Sequence, residues 1–135
     1  TGLEELRAQL PCTVIGLGEA GVLTASLASP TFAVVTTMQV SVPVINENIA
    51  RMGFAQRCAG VYASGIPVLA LEKNIDELRR SLATAAKLTS ANALVLGCAG
   101  MTTMTEALAG CCSARLIDPV RAAVGLVDTI AKSRC

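Results

Sequence analysis

Short apolar runs punctuate the chain at Thr13–Leu17, Phe32–Thr36, Cys58–Tyr62, Ala93–Gly97 and Ala114–Ile117. They are apolar at successive positions rather than alternate ones, which is how strands buried on both faces of a parallel sheet read. Between most of them apolar residues recur at helical spacing. Leu3, Leu6 and Leu10 predict a first helix, and Ala20, Leu23 and Leu27 a second. A third is predicted to open after Ser41 near Pro43, to place Ile45, Ile49 and Met52 on one face, and to stop at Gly53. A fourth follows Asn74, with Glu77 where a capping box needs it and Ile75, Leu78, Leu82 and Ala85 as its apolar stripe. The last begins at Pro119 and lines up Val120, Ala123, Val124, Val127, Ile130 and Ala131, a stripe expected to dock on the sheet. This alternation predicts a three-layer α/β/α fold with a mainly parallel sheet of four to five strands. No repeat, low-complexity tract or linker divides the chain, so residues 1–135 read as a single α/β domain.

Composition agrees and removes several functions. Hydrophobic residues make up 53% of the 135 and charged residues 16%, which excludes a disordered segment and suits one core. The net charge is +1 with no basic cluster, so the electrostatic grip that nucleic acid requires is missing. No apolar run is long enough to span a bilayer; the longest candidate, 13–35, is broken by Glu19 and Pro30. The start, Thr1-Gly2-Leu3-Glu4-Glu5, lacks the basic region of a signal peptide. A soluble, cytoplasmic chain with no membrane partner is therefore expected. There is no histidine, which excludes Ser-His-Asp and Cys-His catalysis and histidine-ligated zinc. Any proton transfer must use another group.

In such a fold ligands sit at the carboxyl ends of the strands. The loops there are predicted to be Gly16-Leu17-Gly18-Glu19-Ala20-Gly21, Thr36-Thr37-Met38-Gln39, Gly97-Cys98-Ala99-Gly100-Met101-Thr102 and Asp118-Pro119. The first is a literal G-x-G-x-x-G, the form of a dinucleotide-binding turn. That reading needs an acid about 20 positions on, where this chain has Thr36 and Thr37, and Glu19 would oppose a pyrophosphate. The glycines are read as a tight turn instead.

Cys98 is the better candidate, because a thiol is a natural proton carrier in a chain without histidine. It ends an apolar run, and residues 102–109 are predicted to form a helix whose N-terminus would stabilise a thiolate. Gly97 and Gly100 leave the backbone open, so an anionic substrate group can reach the amides of Ala99 and Gly100. An inert cysteine at a strand end is the competing reading. Thr36 and Thr37 offer hydroxyls and amides, or a polar strand end satisfying its own backbone. Glu19 and Asp118 stand at the same edge, where a capping or solvated role is favoured. Cys12, Cys58 and Cys135 are poorly placed, and the adjacent Cys111 and Cys112 near a helix end read as structural rather than redox-active.

Three stretches together, Ala93-Leu-Val-Leu-Gly-Cys98-Ala-Gly-Met101, Phe32-Ala-Val-Val-Thr-Thr37 and Val14-Ile-Gly-Leu-Gly-Glu-Ala20, resemble the Asp/Glu racemase superfamily, above all its hydantoin and allantoin racemases. The resemblance extends in order to Ile66-Pro-Val-Leu-Ala-Leu71 and Ile117-Asp118-Pro119. It implies a flavodoxin-like lobe, one of two that face each other, each giving one cysteine to a cofactor-independent racemisation beside a carbonyl. On this resemblance Cys98 is the second-lobe acid and base, the amides of Ala99 and Gly100 bind a substrate oxygen, and Thr36 and Thr37 hold a polar group of a hydantoin or amino acid. No metal, nicotinamide or pyridoxal cofactor is implied. The partner cysteine of the family lies ahead of the stretch matched by Thr1, so the chain reads as the second lobe alone. Exposed apolar surface and a homo-oligomer are expected to follow.

Overall fold

A computed structural model describes residues 2–133. Its centre is a four-stranded, all-parallel sheet formed by β1 (Phe32–Thr36), β2 (Cys58–Ala63), β3 (Ala93–Leu96) and β4 (Arg115–Ile117), in the order β2-β1-β3-β4. Val34 stands between Val61 on one side and Val95 on the other. Every residue of β1 and β3 is buried, as their unbroken apolar runs require.

The pleat sends alternate residues to two separate cores. Ala33, Val35, Leu94 and Leu96 pack with Leu78, Leu82 and Ala85 of α4 (Ile75–Thr89). Phe32, Val34, Ala93 and Val95 pack with Val22 and Ala25 of α2 (Leu17–Ala28) and Ile49 of α3 (Val42–Arg51). Each fully buried Leu, Val or Phe contributes about 1.5 to 3 kcal/mol, so β1 and β3 with their covering helices hold the fold together. The result is the expected α/β/α layering, with α1 (Leu3–Gln9) beside it and without a buried residue of its own.

Four expectations need correction. Residues 13–16 form no strand, and Leu17 already belongs to α2. The carbonyl of Val14 accepts from the Arg7 guanidinium at 3.1 and 3.2 Å, and the Gly16 N–H donates to Glu19 Oε2 at 3.1 Å. Side chains thus take backbone groups that a ladder would use. The fourth helix begins after Asn74 as expected, but no capping box forms, because the Asn74 amide donates backwards to Ala70 O at 2.8 Å. The helix predicted at 102–109 is instead a 3-10 segment, Ala99–Met104, followed by the single turn α5 (Thr105–Leu108). Finally, α6 (Pro119–Lys132) fully buries only Pro119 and Ala123, both in its first half. Beyond them Val124, Val127 and Ile130 are 66%, 44% and 42% exposed.

Candidate functional site

The chain leaves β1 towards β2 on one side and returns through β3 to β4 on the other, so the strand order reverses between β1 and β3. Connections diverge from this point, and in open α/β sheets ligands dock at the carboxyl ends of the two strands that flank it. Thr36 closes β1 there, and Gly97 and Cys98 follow β3. The Gly97 N–H donates to Val35 O at 2.7 Å, and the Thr36 hydroxyl donates to Gly97 O at 3.4 Å. A Cβ on Gly97 would lie 2.8 Å from Val34 Cγ1 and 3.2 Å from Thr36 Cβ. Only glycine lets the β3 end run flush against β1, and this brings Cys98 to Thr36 from 62 positions away in sequence.

Cys98 is half-buried and extended, and it precedes the 3-10 segment. The first hydrogen bond of that segment runs from Met101 N–H to Cys98 O at 3.0 Å. The amides of Ala99 and Gly100 lie ahead of it, so no helical carbonyl takes them. The short helix supplies little aligned dipole, which leaves the N–H groups of Ala99 and Gly100 as the backbone donors that directly follow Cys98.

A third loop, which the sequence reading passed over, completes the edge. Past the end of β2, Ser64 N–H donates to Thr36 O at 2.9 Å and Gly65 N–H to Thr37 O at 2.8 Å. Val68 then reaches Gly100: a Cβ there would lie 2.8 Å from Val68 Cγ1 and 3.6 Å from Cys98 Sγ. The turn-rich stretch Ser64-Gly65-Ile66-Pro67 after an apolar run was the available signal. None of residues 36–44, 64–71 or 97–105 is charged. The thiol therefore stands among amides, hydroxyls and apolar groups.

The predicted site residues separate into two groups. Thr36, Thr37, Cys98, Ala99 and Gly100 meet at this edge, although Thr36 and Thr37 are both buried and the Thr36 hydroxyl is already engaged. The two carboxylates serve the fold. Asp118, 7% exposed, caps α6 by accepting from Val120 N–H at 2.9 Å and Arg121 N–H at 3.3 Å. It also accepts from the Thr102 hydroxyl at 3.0 Å and the Thr105 hydroxyl at 3.4 Å. Glu19 pairs with Arg7 at 2.6 and 2.9 Å, and that guanidinium, followed by the Gly16 amide, holds its carboxyl below the usual range.

The glycine fingerprint is likewise structural. Gly16 caps α2, and a Cβ on Gly21 would lie 2.8 Å from Val95 Cγ1 and 3.1 Å from Pro119 Cβ, so Gly21 lets α2 sit close on β3 and α6. Glu19 occupies the Gly16 amide that a phosphate would need.

Among the remaining thiols, Cys12 is exposed ahead of α2, and burial pushes the Cys58 thiol up. Burial first and the adjacent Cys112 second push Cys111 up to about 11. Cys135 lies outside the described residues. Among the described residues no group of three or more His, Cys, Asp or Glu gathers to hold a metal ion, and no helix is long and apolar enough to cross a membrane.

The Asp/Glu/Hydantoin racemase profile matches residues 1–127. A hydantoin racemase of Rhizobium meliloti is 35% identical over 133 residues, covering 96% of this chain and 55% of its own. One from Pseudomonas sp. (strain NS671) is 29% identical over 133 residues, covering 96% and 53%. Among solved structures, allantoin racemase from Pseudomonas fluorescens superposes with a TM-score of 0.89 at 31% identity, over 98% of this chain and 58% of that one. Allantoin racemase from Klebsiella pneumoniae gives 0.89 at 32%, over 97% and 55%. The chain thus spans about half the length of the proteins it matches, and its parallel α/β fold is theirs.

Proposed function

This chain belongs to the Asp/Glu/hydantoin racemase family, and from that premise we propose that Cys98 is a proton-transfer group for cofactor-independent racemisation at a carbon next to a carbonyl. The observation that carries the reading is the position of Cys98 at the reversal of strand order, directly before two amides free of helical bonds. The thiolate removes the α-proton and becomes a thiol. Negative charge then moves onto the carbonyl oxygen, where the N–H groups of Ala99 and Gly100 receive it. Return of a proton from the opposite face inverts the centre, and a second acid, of the kind the resemblance assigns to a facing lobe, supplies it. The buried Thr36 and Thr37 close the floor as the polar strand end nearest a polar group of the ligand.

The uncharged rim supports a neutral substrate such as a 5-substituted hydantoin over a zwitterionic amino acid, whose carboxylate would find no cation here. Incubation of an L-5-alkylhydantoin in deuterated water tests this, with C5 exchange and optical rotation followed against a protein-free control. Exchange and loss of rotation are expected with the wild type and not with Cys98→Ser; exchange with rotation retained marks one-base chemistry. Equal rates for wild type and Cys98→Ser would refute the assignment.

A second reading rests on the exposed Val124, Val127 and Ile130 of α6. In it residues 1–135 act as one α/β lobe that binds ligand or assembles into a homo-oligomer without turnover. Hydantoin binding and a sedimentation mass above that of a monomer, with no exchange at C5, would favour it.

A further inference from the structure

Cys111 and Cys112 lie on the connection from α5 to β4, which leads to the start of a parallel strand and so to the sheet edge opposite Cys98. Both thiols are half-buried against the core formed by α4 and Leu108. The Cys112 sulfur donates to Ala114 O at 3.6 Å, and the Cys111 thiol is held beside Cys112 and near the Arg79 guanidinium. Neither belongs to the site described above.

We infer that Cys111 and Cys112 form a dithiol site that chelates a soft, thiophilic centre of the trivalent arsenical class. Two geometric facts favour chelation over a disulfide. Adjacent Cα atoms are about 3.8 Å apart across a trans peptide, whereas disulfides span about 4.4 to 6.8 Å between Cα atoms. A direct S–S bond here is strained, while an inserted arsenic atom lengthens the bridge and relieves that strain. The chain at 109–114 is turn and bend rather than helix or strand, so it can adjust around the ring.

The reaction balances without an oxidant. With an organoarsenic oxide R–As=O, two As–S bonds form and the As–O bond breaks. The oxygen leaves as water with the two thiol protons, and arsenic stays trivalent. Soft sulfur ligands suit such a centre. The raised Cys111 pKa leaves little of its thiolate for one-point alkylation, so Cys111 is slow towards iodoacetamide while the two thiols can still chelate.

Phenylarsine oxide titrated into the intact chain, with mass spectrometry and free-thiol counting, tests the inference. One adduct per chain and loss of two titratable thiols are expected. Cleavage after Glu106 and Arg115 isolates Cys111 and Cys112 from every other cysteine and should place the adduct there. Cys111→Ser or Cys112→Ser should weaken retention by about a hundredfold, the usual gain of two-point attachment, and Cys98→Ser should leave it unchanged. Circular dichroism confirms that each variant is folded. An adduct retained equally by the folded Cys111→Ser, Cys112→Ser double variant, or none in the native chain, would overturn the inference.

Discussion

The Thr102 hydroxyl donates to Asp118 Oδ1 at 3.0 Å, and this bond fastens the segment after Cys98 to the start of α6. Asp118 is both a helix cap and an anchor for the candidate site. Asp118→Ala removes both roles and should cost about 1 to 3 kcal/mol in denaturant unfolding. Thr102→Val should cost less, because the cap survives. The two losses should not add in a double variant, since both break one bond; strict additivity would mean that the contact contributes nothing.

Gly21 and Gly18 test the meaning of the glycine fingerprint. Gly21→Ala drives a Cβ against Val95 and Pro119 and should destabilise by about 1 to 3 kcal/mol. Gly18 has open space, so Gly18→Ala should be neutral or stabilising by up to about 1 kcal/mol. NAD should leave the melting temperature of the wild type unchanged. A rise on adding NAD would restore the dinucleotide reading.

The Arg7–Glu19 pair carries a pH signature. The Glu19 carboxyl titrates below its ordinary value of 4.5, so its stabilising effect is fully present above that value and is lost as pH falls through the lower, folded one. The wild type should therefore melt above Glu19→Gln at neutral pH, and the gap should close on acidification below the carboxylate range. Thermal scans of both proteins from pH 7 to strongly acidic buffer measure it. A gap independent of pH would assign the effect to the uncharged hydrogen bonds.

Leu69 is 98% exposed on the loop that carries Val68 to Gly100. Leu69→Asp should leave stability within about 0.5 kcal/mol. If apolar substituents of the substrate lie along this rim, the same change raises KM for a 5-alkylhydantoin and leaves kcat nearly constant. An unchanged KM would remove Leu69 from the substrate path.

What could be read from the sequence was whatever is fixed locally or by burial on both sides. β1 and β3 are legible because each residue faces a core and must be apolar or nearly so. Cys98 and Thr36 fall together by the rule that strand ends collect ligands, whereas the bond from Thr36 to Gly97 that joins the two ends has no local sequence signal. Residues 13–16 have the same composition as a strand but lose that role to Arg7, whose reach to Val14 no periodicity reveals. The stripe on α6 is legible, yet how much of it is covered depends on packing partners, and Val124, Val127 and Ile130 stay largely open. Asn74 had the identity of a cap, but its side chain found Ala70 first.

The hydrogen bond from Thr36 to Gly97 O joins residues 61 apart. No hairpin can form this contact early, because every strand pair is parallel and separated by a long crossover. The chain must close a large loop before the two central strands meet, which makes folding slow and leaves few native partners for Cys98 in a half-formed chain. A nascent or partly unfolded molecule holds the thiol without the surroundings that would make it selective. The edge to which the proposal assigns proton transfer is therefore complete only once β1 and β3 have paired.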